Sequence, residues 1–288
     1  MKQFKLVILS LLLSLVSSIS FGQYTVYKKK KSYLALLGGF NYSIPHVTDR
    51  YAVLSASSAE DGANEKEYGK LGKNKGVQFG IRYSYNFTNT LSVVAGFGYQ
   101  TQSFNYRTDY AWADTVSNQS FEREMHHKQQ ISYFTLPVLG RWDMTHVQFK
   151  PYLQAGIFMD FRHQASKIIT YDNTIDEEET ENQVSSSGWG DITENTRKFN
   201  MGVMAGVGVH YYTKYITLGL ETNFRYGFLN TINDKTRYAD QNGFALEYLD
   251  VLDQLKLGAL NVQFSVSVPI NNSITANILR KSRYNRRR

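Results

Sequence analysis

Six histidines and a scatter of hydroxyls are the residues of this 288-residue chain best suited to chemistry. A histidine set between a hydroxyl and a carboxylate can serve as general base in acyl transfer. His126 and His127 lie beside Glu122 and Glu124, and His163 lies close to Ser166. No Gly-x-Ser-x-Gly elbow and no paired metal-ligand spacing surrounds them. A second candidate is the run Asp176-Glu177-Glu178-Glu179-Thr180-Glu181. Carboxylate oxygens suit hard cations such as calcium, but adjacent acids lack the alternating ligand spacing of a calcium loop and read as a solvated loop. The chain has no cysteine, which excludes disulfides and thiolate metal sites. These residues predict no enzyme, no cofactor and no metal.

The charged residues say more by placement than by type. Arg82, Arg141, Asp143, Lys150, Asp160, Arg162, Glu221 and Arg225 fall on positions that alternate with large apolar side chains. Charges gathered away from water must pair. The expectation is a cluster of Arg82, Arg141, Glu221 and Arg225 in which Glu221 pairs with at least one arginine. His210 falls on the same face, where a hydrogen-bonded core histidine is expected. Two other sets of cations lie at the ends: Lys28, Lys29, Lys30 and Lys31 near the start, and Arg280, Lys281, Arg283, Arg286, Arg287 and Arg288 at the close. The formal net charge is +7, so these ends account for the basic balance of the whole chain.

The elements that must position these groups are strands. Aromatics make up 14% of the chain, tyrosine alone contributes 21 residues, and there are only 4 prolines, a composition that favours sheets and membrane interfaces. The mean hydropathy of -0.39 is too low for a helical membrane protein. Segments of about ten residues alternate apolar with small or polar, the form of an outer-membrane barrel strand. In the second such segment Val77, Phe79, Ile81, Tyr83, Tyr85 and Phe87 share one face, and Gln78, Gly80, Arg82, Ser84 and Asn86 share the other. The same split recurs around Leu34–Tyr42, Leu91–Tyr99, Phe134–Trp142, Phe149–Phe161, Phe199–Tyr211, Ile216–Tyr226 and Leu260–Ile270. A soluble eight-stranded sandwich is the alternative, but its solvated faces would have to carry these aromatics. The predicted fold is all-β, an eight-stranded antiparallel up-and-down transmembrane β-barrel. Eight strands leave an interior wide enough only for side chains, so the inward charges are expected to form a plug rather than an ion pathway.

Connections of two lengths support that topology. Residues 44–75, 105–128, 168–196 and 229–254 are long and polar and read as loops, whereas Thr88-Asn89-Thr90, Thr145-His146 and Thr213-Lys214-Tyr215 are short. Such barrels have long outer loops and tight periplasmic turns. Pro137 and Pro151 read as bulge or strand-start positions. Ala245, Tyr248, Leu249 and Leu252 repeat at helical spacing and predict a short helix in the last loop. At the N-terminus, Lys2 and Lys5 precede an apolar stretch over residues 6–16, and Ser20-Phe21-Gly22 has the small residues of a cleavage site. The predicted organisation is a signal peptide over 1–22, a basic periplasmic segment over 23–32, the barrel over 33–270 and a basic periplasmic tail over 271–288. The predicted location is the outer membrane, with both termini in the periplasm. The partners this implies are outer-membrane lipid and a periplasmic or outer-membrane protein, with anionic headgroups or an acidic protein surface facing the basic ends. Nucleic acid is not expected there.

Tyr133-Phe134-Thr135-Leu136-Pro137-Val138-Leu139, followed after a tight turn by Lys150-Pro151-Tyr152-Leu153-Gln154-Ala155-Gly156, resembles the PorT-like outer-membrane β-barrel family of Bacteroidetes. The signal end Phe21-Gly22-Gln23 is similar to those of the same phylum. The resemblance implies the small barrel fold and, from the family's best-known member, a part in type IX protein secretion or gliding motility. The motifs that carry it are structural, and no catalytic residue comes with them. The extended basic tail and the large loops depart from the simplest members. The leading expectation is a non-enzymatic component or partner of an envelope machine. The alternatives are an adhesin-like or structural barrel displaying ligand-binding loops, or a small pore.

Overall fold

The computed structural model describes residues 29–51, 66–69, 74–114, 119–145, 148–177, 180–213, 215–237 and 250–270, with backbone alone for 110–114, 119–122, 173–177 and 180–185. The predicted signal peptide, Lys28, the six cations of the tail and the predicted helical residues Ala245, Tyr248 and Leu249 lie outside the described residues. So do the side chains of the acidic run.

Eight strands form a closed antiparallel ring: β1 (Ser32–Asp49), β3 (Lys75–Asn86), β4 (Leu91–Asp114), β5 (Gln119–Asp143), β6 (Phe149–Glu177), β8 (Phe199–Tyr212), β9 (Thr217–Gly227) and β10 (Gln254–Pro269). Each pairs with the next, and β10 pairs with β1 through sixteen residues from Tyr33↔Pro269 to Asp49↔Gln254. Closure leaves no unpaired edge within the span, which the hydrocarbon of a bilayer requires. The even number of strands brings the chain back to the end where it started, and Ile270 N donates to Ser32 O at 2.9 Å. Two further strands lie outside the ring: β2 (Glu67–Tyr68) pairs with β4, and β7 (Thr180–Asp191) pairs with β6.

Around the ring the pleat sorts side chains as the alternation predicts. Leu36 is 67% exposed and Phe87 65%, and Phe79, Phe97, Trp142, Ile157, Val207, Leu220, Phe224 and Phe264 also point outward. The opposite positions, such as Ser84, Gln154, Asn223 and Ser265, are buried and polar. A surface this apolar would be unstable against water over so wide a belt, and it matches the lipid-facing band of a membrane barrel. Pro137 sits mid-strand without a bulge. The β4–β5 ladder keeps its register but lacks bridges between Ala95↔Val138 and Gly98↔Thr135, the gap a missing N–H leaves. Gly96 lies opposite, and a Cβ there would come within 3.3 Å of the Pro137 ring. Pro151 is the third residue of β6, a strand-start position.

Two of the expected long loops are not loops. Residues 105–128 are mostly a hairpin extension of β4 and β5, and 168–191 are the upper half of β6 with β7 folded back on it. In sequence they resemble loops because the lipid-facing alternation stops there. The pattern in fact inverts. Above the band, Lys128 and His126 point outward while Ile131, Met125, Phe104 and Tyr106 point inward and pack with Tyr133, Ile169, Leu255 and Leu257 in a buried apolar cluster. Past the bilayer the surrounding solvent is water, so the same strands bury their apolar faces instead of exposing them. A β-bulge in β6 assists the change. Ser132 pairs with Gln164 and Tyr133 with Arg162, which leaves His163 unpaired. Below it the buried positions are even (Tyr152, Gln154, Phe158, Asp160), and above it they are odd (Ala165, Lys167, Ile169).

Candidate functional site

The buried charges of the lumen lie at four levels. The central one is built on Glu221 of β9. Its carboxylate accepts two hydrogen bonds from the Arg82 guanidinium of β3, at 2.8 and 2.7 Å, and one from the Tyr152 hydroxyl at 2.6 Å. Asn223 Nδ2 donates at 3.0 Å, and Arg141 of β5 approaches at 3.5 Å. Arg141 in turn donates to Gln154 Oε1 at 3.1 and 2.8 Å and lies 4.2 Å over the Tyr152 ring. Arg82 also donates to Gln263 at 3.0 Å. A fork-on-fork arginine–carboxylate pair is the strong form of this interaction, and nearly every remaining lone pair of Glu221 is satisfied by a strand-borne neighbour. The tight space needs a glycine on β8. A Cβ on Gly208 would meet the Tyr152 hydroxyl at 2.5 Å. His210, also inward and buried, lies 3.3 Å from Arg141 and against the Tyr152 ring.

Arg225 does not join this group. It pairs with Asp160 of β6, donates to Gln100 at 2.6 Å and covers the Phe158 ring at 3.7 Å. The expected four-residue cluster is therefore two networks. Glu221 has two arginines and Arg225 has its own acid, because Glu221 and Arg225 lie four residues apart along β9 while Asp160 reaches Arg225 from β6, on the far side of β8.

At the end where the chain enters and leaves, Lys29 is the surprise. Read as one of four exposed basic contacts, it is buried, with its ammonium paired to Asp143 and 3.4 Å from Asn86 Oδ1. Asn86 fastens the segment, its backbone N–H donating to Lys31 O and its side chain to Lys30 O at 2.7 Å. Lys30 and Lys31 are exposed. Lys150 is buried alongside and faces the Tyr212 ring.

The fourth level, at the opposite end, involves residues that sequence reasoning passed over. Lys66 lies 3.1 Å from Asp250 and 3.0 Å from Asp253. Asp250 is also paired with Lys167 of β6 and accepts from the Tyr106 hydroxyl at 2.5 Å. Asp253 accepts from Tyr68 Oη at 2.7 Å and from Tyr51 N at 2.8 Å. Burial would raise the Asp250 carboxyl, but Lys167 and Lys66 outweigh it and hold the group well below the usual carboxylate range. His127 stacks on the Tyr106 ring at 4.5 Å, hydrogen-bonds Thr108 at 2.8 Å and stands 3.4 Å from Asp250. Burial above all, with Lys167 and Lys66, outweighs the nearby Asp250 and pushes it down to about 3, so it is neutral. The signal for Lys167 was hidden by the bulge, since uninterrupted alternation from Phe149 would place it outward. His126 points to solvent 3.3 Å from Glu124, and His163, the bulged residue, lies outward against Phe134. Among the described residues no three His, Asp or Glu side chains are placed to hold a metal.

A closed ring with an apolar belt outside and paired charges inside is the arrangement of an outer-membrane barrel, and the family comparison agrees. The family model described as outer membrane protein beta-barrel domain matches residues 23–233. The chain belongs to that family. No curated protein matches it. Among solved structures it is similar to Neisserial surface protein A, at 14% identity and a TM-score of 0.34, covering 83% of this chain and 97% of that one. It is also similar to the N-terminal β-barrel domain of Pseudomonas aeruginosa OprF, at 11% identity and a TM-score of 0.29, covering 83% and 99%. The attachment invasion locus protein Ail of Yersinia pestis matches at 12% identity and a TM-score of 0.29, covering 82% and 99%. As a member of this barrel family the chain lies in the outer-membrane bilayer, with lipid against its apolar belt.

Proposed function

We propose that this barrel is a non-conducting, non-enzymatic scaffold whose contacts are made at its ends, and that it serves an envelope machine as component or partner, type IX protein secretion being the machine its strand motifs suggest. The signal peptide over 1–22 is removed, and both termini lie in the periplasm with their cations, Lys29 apart, facing anionic headgroups or an acidic protein. The observation that carries this reading is the central network. Arg82, Arg141, Glu221 and Tyr152 come from four strands and pair across the centre of the lumen, which supports a closed interior with the ends as the working parts. The purified barrel should give no steady conductance in planar bilayers; large single-channel steps would restore the small-pore alternative. Affinity purification of the tagged barrel from its own outer membrane should recover a secretion or motility component, and recovery of the barrel alone would remove the machine reading.

A second reading is favoured by the far end. There β2, β4, β5, β6 and β7 form one sheet beyond the lipid-facing band, with a packed interior and an open cleft of about 620 Å³ beside Arg107, His126 and Lys128. On the same outer face Trp189, 66% exposed, pairs across the sheet with exposed Ile168. A rigid sheet of this kind suits display to an external ligand. Replacing Trp189 with Ser should abolish attachment of cells bearing the barrel if this face is the adhesive one, and unchanged attachment would dismiss it.

A further inference from the structure

The lumen networks account for Lys29 but not for the two lysines that follow it. Lys29 is drawn inward to Asp143, and Asn86 holds the carbonyls of Lys30 and Lys31. The segment is thus fixed at two points, the last residue of β3 and the last residue of β5, while the side chains of Lys30 and Lys31 stay exposed. Among the described residues no carboxylate pairs with either. Both anchors adjoin exposed aromatics of the outer face, because Phe87 follows Asn86 and Trp142 precedes Asp143. Aromatics at this height form the girdle that marks the headgroup boundary of a membrane barrel. Just inside that girdle the outer face carries an open groove of about 780 Å³, with Phe87 at its edge. Gly140, Ala155 and Ala205, paired in register on β5, β6 and β8, form its floor, and Trp142, Leu153 and Val207 wall it on the girdle side. Packing within the barrel does not require this floor to be low. A Cβ on Gly140 would meet only Ala155 O, at 3.8 Å, whereas one on Gly208 has no room.

We propose that the groove and the two lysines together seat one anionic phospholipid of the surrounding bilayer, with its phosphate on Lys30 and Lys31 and an acyl chain over Gly140, Ala155 and Ala205. The two halves of the site call for the two halves of such a molecule. An apolar groove within the lipid-facing band takes hydrocarbon, and unpaired cations at the headgroup boundary take negative charge. A soluble anion would leave the groove unused, and a neutral lipid would leave the lysines unused. Lys29 acts as the anchor. Its burial against Asp143 fixes the backbone of its neighbours, so less chain freedom is lost when they close on a headgroup. The lipid belongs to the leaflet on the side where the barrel strands begin and end. This inference deepens the reading of the basic N-terminal segment above by naming the anionic partner of Lys30 and Lys31.

Trp142 supplies the probe. It is one of three tryptophans, and the other two, Trp112 and Trp189, lie in the far-end sheet. In the full-length chain carrying Trp112→Phe and Trp189→Phe, the remaining fluorescence is quenched by brominated acyl chains that touch Trp142. In reconstituted mixed bilayers, brominated phosphatidylglycerol should quench as though enriched over brominated phosphatidylcholine by about fivefold or more, the share of one lysine at an anionic surface. Lys30→Gln with Lys31→Gln should remove the enrichment at unchanged heat-modifiable migration. Gly140→Leu, which fills the groove from its floor, should reduce the enrichment with both lysines in place. Equal quenching by the two lipids before these substitutions would overturn the proposal, as would enrichment that survives either of them. Quenching by neither lipid would also overturn it and give the groove to a second copy of the chain. The assay contains no other protein, so its failure leaves the envelope-machine reading standing.

Discussion

Glu221 is 1% exposed and takes hydrogen bonds from three strands, so its carboxylate has no route back to water when a partner is lost. Breaking a buried pair of this kind costs about 3–5 kcal/mol, because the remaining charge stays uncompensated. Glu221→Ala should therefore lower the barrel's melting temperature clearly, read as the shift of the heat-modifiable band, and a wild-type melt would show the pair to be dispensable. His127 carries a different consequence. Its folded pKa, about 3, lies below the value of 6.5 it has when free, so the unfolded far end binds a proton that the folded one refuses. Stability is complete above pH 6.5 and falls as pH drops through the window down to about 3, by up to about 1.4 kcal/mol per unit. Asp250, held below the ordinary carboxylate range, adds a loss in the same direction at still lower pH. The groups facing His127 are Asp250, which favours its proton, and Lys167, Lys66 and His126, which together with burial outweigh it; Thr108 and the Tyr106 ring complete its surroundings. Far-end amide exchange, corrected for intrinsic rate, should accelerate between pH 7 and pH 5, and His127→Gln should flatten that dependence. Equal acceleration in the variant would assign the effect to another group.

At the scale of the element, β6 is the strand that does two jobs. Its lower half, partnered by β8, shows lipid an apolar face, and its upper half, partnered by β7, buries Ile169 and Lys167. One unpaired residue, His163, reconciles the two, because the pleat has a period of two and an odd insertion exchanges the faces. Deleting His163 should return Lys167 and Ile169 to the outer face, break the pairing of Lys167 with Asp250 and leave the eight-strand ring intact below. The expected signature is a heat-modifiable barrel whose far end becomes sensitive to protease. A far end as resistant as the parent's would mean that the strand can absorb the deletion elsewhere.

For the whole molecule, the determining feature is the exchange of solvent along the barrel axis. Where lipid surrounds the ring, apolar residues face out and charges pair within; where water surrounds it, the order reverses on β4, β5 and β6. The last ladder pair of the ring is Tyr33↔Pro269, and Ile270 adds a hydrogen bond to Ser32. Deleting residues 273–288 should leave assembly and heat-modifiable migration unchanged. In the native host the same deletion should impair secretion or motility if the basic tail is a contact of an envelope machine, since each cation near an anionic surface contributes about 1 kcal/mol. Wild-type secretion and motility would reduce the tail to a solvated end.

By itself the sequence determined what local periodicity can determine. The number of ring strands, the faces that meet lipid, the short turns at 88–90 and 213–215, and the inward placement of Arg82, Arg141, Glu221 and Arg225 all follow from alternation and turn spacing, which are properties of neighbours in the chain. Three matters were decided only in three dimensions. Which acid Arg225 meets depends on the register of β6 and β9 across β8, which no single strand records. Whether Lys29 points to solvent or into the mouth depends on Asp143, 114 positions further along, lying across from it. The far-end network joins Lys66, Lys167 and Asp250, and two of these come from segments with no periodicity while the third follows a bulge that inverts it. Alternation assigns a face only relative to the last uninterrupted stretch of pleat, and it cannot tell whether the medium outside is lipid or water. Both are settled when the ring closes and fixes the height of each residue along its axis.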